Sequence, residues 1–168
     1  KALLRGLYHA KNIVFIAGSS LSYQDVRIVF PHERDVLIVD SAGPLTSIAL
    51  VRRGLLAEVV ETLSRTNNAT AWLKDISGEF AKLAEKLPLP RTIFLLARES
   101  ETLSLELKEV LGTTDFSKLW LSDNPPKVVP VLGSHTSGLV RQTAMVQPDL
   151  SLLLMALYFQ HQKAGNIL

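Results

Sequence analysis

Short apolar runs rich in β-branched residues alternate along the chain with stretches whose apolar positions recur at helical spacing. Asn12–Ala17 (NIVFIA), Asp35–Asp40 (DVLIVD) and Thr92–Ala97 (TIFLLA) are the clearest runs, with Lys118–Leu121 and Lys127–Val131 as shorter candidates. Runs that are apolar on both faces predict strands buried in a parallel sheet rather than one side of a hairpin. Gly18 closes the first run, and Ser41-Ala42-Gly43-Pro44 closes the second. Ala57–Val60 fits either another strand or the end of the element before it.

The intervening segments predict helices. Leu45–Arg53 places Leu45, Ile48, Ala49 and Leu50 on a broad apolar face, with Gly54 as its stop. Ala71–Leu87 is apolar at Leu73, Ile76, Phe80, Leu83 and Ala84 and ends before Pro88. Leu103–Leu111 follows a Ser100 cap and closes at Gly112, and Asp149 opens a last helix that is apolar nearly all round. Strand, helix, strand, helix predicts an α/β fold: a three-layer, mostly parallel open sheet with helices on both faces, Rossmann-like. One domain is expected over residues 1–168. Gly165–Leu168 reads as the first step of a further strand, so the chain is expected to belong to a longer protein; a homo-oligomer is a separate alternative that the sequence leaves open.

Composition narrows the class. With 168 residues, 47% hydrophobic and 20% charged, the chain can bury a core and is not a disordered or fibrous sequence. Cysteine is absent, which excludes a disulfide scaffold, a thiolate metal site and a cysteine nucleophile. The net charge of +2, from 18 basic and 16 acidic residues, gives no footprint for nucleic acid. No run approaches the roughly 20 apolar residues of a membrane span, and Lys1–Ala10 lacks the apolar core of a secretory signal. A cytoplasmic location is the expectation.

Three segments are candidates for chemistry. At the first, Gly18 permits close backbone approach, and Ser19 and Ser20 offer hydroxyls to a phosphate or ribose at a strand end; the plain alternative is a tight turn with serine as helix cap. It lacks the Gly-Lys-Ser/Thr of a nucleotide-hydrolysing loop and the G-x-G-x-x-G fingerprint. At the second, Asp40 and Ser41 end a strand where an acid can accept from a sugar hydroxyl, or can cap a helix beginning at Pro44. At the third, Gly133, Ser134, Thr136 and Ser137 form a donor-rich loop suited to phosphate or sugar, followed by a helical segment Leu139–Met145. His135 in that loop is a candidate general acid or base, set against the ordinary reading of a solvated loop histidine. His9, His32 and His161 show no ligand spacing, so no histidine metal site is expected. Trp72 and Trp120 read as core residues.

Gly18–Leu21 (GSSL), Asp35–Ala42 (DVLIVDSA) and Leu50–Ala57 (LVRRGLLA) together resemble the Rossmann-like domain shared by motility-accessory-factor flagellin glycosyltransferases and archaeal 6-hydroxymethyl-dihydropterin diphosphokinases. The resemblance covers about residues 10–65. It implies that Gly18, Ser19 and Ser20 bind the phosphate of a nucleotide or nucleotide-sugar, with Asp40 and Ser41 in the same crevice. Two departures stand out: Ala57-Glu58 replaces the family's Pro-Asp, and Glu61 stands near the family's second acid.

On this reading the chain is a nucleotide- or nucleotide-sugar-binding domain of a glycosyl- or diphosphoryl-transferase, active or degenerate. Asp40, His135 and Glu61 are its candidate catalytic groups, and Mg²⁺ or Mn²⁺ would accompany the nucleotide. The alternatives are a sugar-phosphate-binding domain of the sugar-isomerase type and a non-catalytic regulatory or interaction domain.

Overall fold

The computed structural model describes residues 16–42, 44–63, 68–97, 101–116, 118–120, 124–140 and 150–163. The expected strand Asn12–Ala17 lies largely outside them, as do Gly165–Leu168 and most of Leu139–Met145. The described elements are α1 (Gly18–Val29), β1 (Val36–Asp40), β2 (Leu45–Arg52), β3 (Leu55–Leu63), α2 (Ala69–Ala84), β4 (Thr92–Leu96), α3 (Glu101–Thr113), β5 (Lys127–Pro130), α4 (Gly133–Ser137) and α5 (Leu150–Lys163). Lys118–Leu121 is not a strand: Trp120 makes an isolated bridge to Leu89, and Leu121 lies outside the described residues.

The five strands form one sheet in the order β3-β2-β1-β4-β5. β1 pairs parallel with β4, and β4 with β5; β1–β2 and β2–β3 are antiparallel. The α/β class holds, but the mostly parallel, Rossmann-like sheet does not. The error lies in Leu45–Arg53, expected as a helix and observed as β2. Its apolar run is buried on both faces, with Ile48, Ala49, Leu50 and Val51 all inaccessible, and such a run carries no period that separates strand from helix.

Gly54 is the glycine of a hairpin, not a helix stop. Arg53 and Gly54 both have positive φ, 52° and 75°, between the paired Arg52 and Leu55. Positive φ at both central positions matches the twist of the flanking strands and is the two-residue hairpin turn in which glycine is favoured. Beyond it the register shifts at Leu50/Val51, where Ala57 is left as the extra residue of a bulge.

Alternation along the strands divides the core in two. Leu37, Val39, Ile48, Leu50, Ile93 and Leu95 face α2 and α3, joining Trp72, Ile76, Phe80, Leu107 and Leu111. Val36, Ile38, Ala49, Val51, Phe94 and Leu96 face α1 and α5, joining Val26 and Leu154. Phe30, just past α1, stacks on Phe94 with ring centroids 4.4 Å apart.

One polar knot ties α2 to the β1–β2 connection. Trp72 is fully buried, and its indole N–H points at Ser41 Oγ (3.1 Å) and Thr46 Oγ1 (3.2 Å), which are 3.2 Å from each other. Asn68 caps α2 by accepting from the Ala71 amide at 3.0 Å. Replacing Trp72 with Phe keeps a large ring but removes the donor. In urea denaturation this should lower stability by about 1–3 kcal/mol, the cost of leaving buried acceptors short of a partner. An unchanged midpoint would show that the indole N–H contributes nothing to the fold.

Candidate functional site

At the carboxyl end of β1 the register aligns one transverse row across four strands: Leu96, Asp40, Ser47 and Glu61. All four side chains lie on the α1/α5 face and form the floor of an open cleft of about 260 Å³. The walls come from Gly18, Ser19, Leu21 and Ser22 of α1, from Ala42 and Leu45 of the β1–β2 hairpin, and from Leu150, Ser151 and Leu154 of α5. Two helices therefore present their first turns to one cleft. Neither first turn contains an acidic residue.

At α1, the amides of Ser20 and Leu21 both return to the Ala17 carbonyl at 3.1 Å. Those of Gly18 and Ser19 are first-turn donors that the helix itself does not use. Ala17 makes no side-chain cap, and space beside Gly18 Cα is open. Leu150 and Ser151, the first residues of α5, also line the cleft, so it lies at the positive ends of two helix dipoles.

Asp40 is held from two sides. Oδ1 accepts from the Ala42 amide at 3.0 Å, closing the turn, and Oδ2 accepts from the Ser22 hydroxyl of α1. Asp40 thus caps its own turn rather than a helix starting at Pro44, since the segment from Leu45 to Arg52 is a strand. Glu61 is exposed, two strands away on the same row, roughly 10 Å from Asp40 by strand spacing. A carboxylate has about four lone-pair directions, so Asp40 keeps acceptor capacity toward the cleft. Among the described residues no group of three or more histidines and acids could hold a metal ion by itself.

The structure thus brings Gly18, Ser19, Asp40 and Glu61 around one cleft. Ser20 is not in its wall, and Ser41 lies on the opposite face of the sheet in the Trp72 knot. The Gly133–Ser137 segment is not a loop but the short helix α4. Thr136 there is buried and donates to the Gly133 carbonyl at 3.0 Å, Ser137 donates to the Ser134 carbonyl at 3.3 Å, and the Leu132 amide donates to His135 Nδ1 at 3.0 Å. None of Gly133, Ser134, His135, Thr136 and Ser137 lines this cleft. Ser22, Ser47 and Ser151 line the cleft and were missed by sequence reasoning. Ser22 was legible one turn after Gly18, but Ser47 depended on β2 being a strand.

No protein-family model matches the chain, and no curated protein is similar to it at a significant level. Parts of it are similar to solved structures. A type II variant of the Aquifex aeolicus Ppx/GppA phosphatase is 21% identical with a TM-score of 0.30, over 45% of this chain and 29% of that one. The Ppx/GppA family member of the same organism is 18% identical with a TM-score of 0.38, over 56% and 36%. The ethanolamine utilization protein EutJ of Carboxydothermus hydrogenoformans is 13% identical with a TM-score of 0.34, over 66% and 49%. The chain spans about a third to a half of the length of these proteins.

None of these is a flagellin glycosyltransferase or a pterin diphosphokinase, and the fold gives the reason the resemblance fails. Gly18–Leu21 opens a helix instead of forming a turn, and Leu50–Ala57 is a β-hairpin. With an antiparallel meander in place of a crossover helix after Asp40, the Rossmann-like transferase reading and its sugar-isomerase alternative both fall. No helix among the described residues is long and apolar enough to cross a membrane.

Asp25, one turn beyond Ser22, is fully buried, and neither carboxyl oxygen has a hydrogen-bond partner among the described residues. Burial without a partner disfavours its charged form and raises its pKa from the ordinary 3.8 to about 8. Between those values the folded chain holds a proton that the unfolded chain has released, so stability declines as pH rises through this window. Asp25→Asn should remove that slope: the variant and the parent should match near pH 4, and the variant should melt higher near pH 8. Parallel pH profiles of the melting temperature would show that Asp25 is ionised in the fold.

Proposed function

We propose that the chain binds the phosphate group of a small molecule, together with a divalent cation, in the cleft between α1, α5 and the strand row. The observation that carries this is the convergence of two helix N-termini and two carboxylates on one cavity. Each N-terminus carries roughly half a positive charge, and first-turn amides such as those of Gly18 and Ser19, which the helix itself does not use, suit an anion. Nucleotides and sugar phosphates, the ligand classes expected from the sequence, both present such a group. Transfer chemistry is no part of the proposal.

The acids explain the cation. An anion alone would meet Asp40 and Glu61 as like charges. Mg²⁺ is bound by one or two carboxylates and completes its shell with ligand phosphate oxygens and water. A phosphate–Mg²⁺ pair therefore satisfies both signs of charge, with the backbone amides on the phosphate and Asp40 on the ion.

Thermal unfolding tests this directly. Pyrophosphate with Mg²⁺ at a hundredfold excess over its Kd should add about 2.7 kcal/mol, or roughly 5–10 °C for a chain of this length. EDTA should abolish the shift. Gly18→Pro removes one first-turn amide at the position where proline suits a helix, and Ala17 (φ −65°, ψ 137°) already has the backbone that precedes proline. Its melting temperature without ligand should be unchanged while the pyrophosphate shift shrinks severalfold. Stabilisation that survives EDTA would remove the cation from the proposal. No response to pyrophosphate or to nucleotides with Mg²⁺ would overturn the site.

A further inference from the structure

The sequence marks α5 for burial on every side, and the structure buries it on one. Leu153, Leu154, Leu157 and Tyr158 are buried, with Leu154 in the core on that face of the sheet. Leu152, Met155, Ala156 and Phe159 recur at helical spacing on the opposite side and stand in water, the three large ones 57%, 44% and 49% exposed. From Leu150 to Gln162 there is no Asp, Glu, Lys or Arg, so no charge interrupts the stripe. Phe159 is held edge to face on Tyr158, with ring centroids 5.4 Å apart. Gln160 donates to the Leu139 carbonyl at 3.0 Å, which brings a further exposed leucine to the same end of the helix. Single exposed leucines are ordinary on a protein surface, but an unbroken apolar stripe over two turns marks a contact.

We propose that a second copy of the chain packs on this face, helix against helix, about a two-fold axis that sets the two α5 helices antiparallel. The character of the stripe selects that occupant. A charged peptide would find no ion-pair partner on it. A helix that rests on a membrane surface carries Lys and Arg beside its apolar face, and α5 has neither before Lys163. A two-fold contact is self-complementary, each residue pair occurring twice. Run antiparallel about Met155 and Ala156, the stripe sets Phe159 against Leu152 of the second copy and Met155 against its Ala156. Larger side chains then face smaller ones, and the two helix dipoles oppose each other. Parallel pairing would instead set Phe159 on Phe159 and Ala156 on Ala156, with the dipoles aligned. The 14 residues of α5 span about 21 Å. One such helix pair covers less than the roughly 800 Å² per partner of a standard interface, so the dimer is reversible and follows concentration. The contact is independent of the phosphate reading of the cleft.

Sedimentation velocity of the whole chain, over a wide range of concentration, tests it. The parent should pass from monomer to dimer as concentration rises. Leu152→Lys, Met155→Lys and Phe159→Glu should each stay monomeric throughout. At the lowest concentration they should melt with the parent, since these side chains face water in the monomer. An equimolar mixture of Leu152→Lys and Phe159→Glu should dimerise again. Antiparallel pairing puts the introduced lysine beside the introduced glutamate at one end and keeps Phe159 against Leu152 at the other. A parent that is monomeric at every concentration, or that pellets with phosphatidylcholine vesicles instead, would overturn the second copy as occupant. A dimer that persists in all three variants places the contact elsewhere on the molecule and refutes the α5 face. If the single variants are monomeric and their mixture is too, the antiparallel pairing is wrong.

Discussion

Backbone alternation at the end of β1 sends Asp40 and Ser41 to opposite faces of the sheet, and the surrounding structure is anchored on both. Ser41 goes to the α2 side, where Thr46 and the Trp72 indole close a buried polar knot. Asp40 goes to the α1 side, where its two oxygens take up the Ala42 amide and the Ser22 hydroxyl. One dipeptide thus fixes the hairpin turn, docks α2 beneath it and sets the distance of α1 above it. A shift of α2 along the sheet would break buried hydrogen bonds that no water replaces, and a shift of α1 would break the Ser22–Asp40 bond at the cleft.

The two faces of the sheet have different tasks. The α2/α3 side carries the heavier aromatic packing, with Phe80, Phe116 and Trp120 meeting edge to face at centroid distances of 5.6–5.9 Å. The α1/α5 side is apolar over the middle of the sheet and opens at the strand ends into the cleft. Helix termini left without side-chain caps are a stability cost, and so is a carboxyl group buried without a partner. Among the described residues α1 has both, in Ala17 and Asp25.

Much of the architecture was legible from pattern alone. The runs at Asp35–Asp40 and Thr92–Ala97 are β1 and β4, apolar on both faces because they lie inside the sheet, and Lys127–Val131 supplies β5 at its edge. The segments around Ala71–Leu87 and Leu103–Leu111 are helices because their apolar positions keep helical spacing, and the segment after Asp149, apolar nearly all round, is a helix as well. Leu45–Arg53 was not legible, because a run buried all round looks the same as strand or helix, and Gly54 suits a helix stop as well as a hairpin. That one segment changed a parallel sheet into a mixed one, and with it the family resemblance and the transferase reading.

The sequence by itself determined where much of the chain must be buried, that the fold mixes helix and strand, and that an acid stands at a strand end, since each comes from spacing and side-chain chemistry within a single element. Only the tertiary structure decided the direction of β2 and the company that Asp40 keeps. Strand direction is set by hydrogen bonds to neighbours distant in sequence. Which polar residues share a cleft is set by cross-strand register, which aligned Asp40 with Ser47 and Glu61 and turned Ser41 away. Register is a relation between elements, and no single segment contains it.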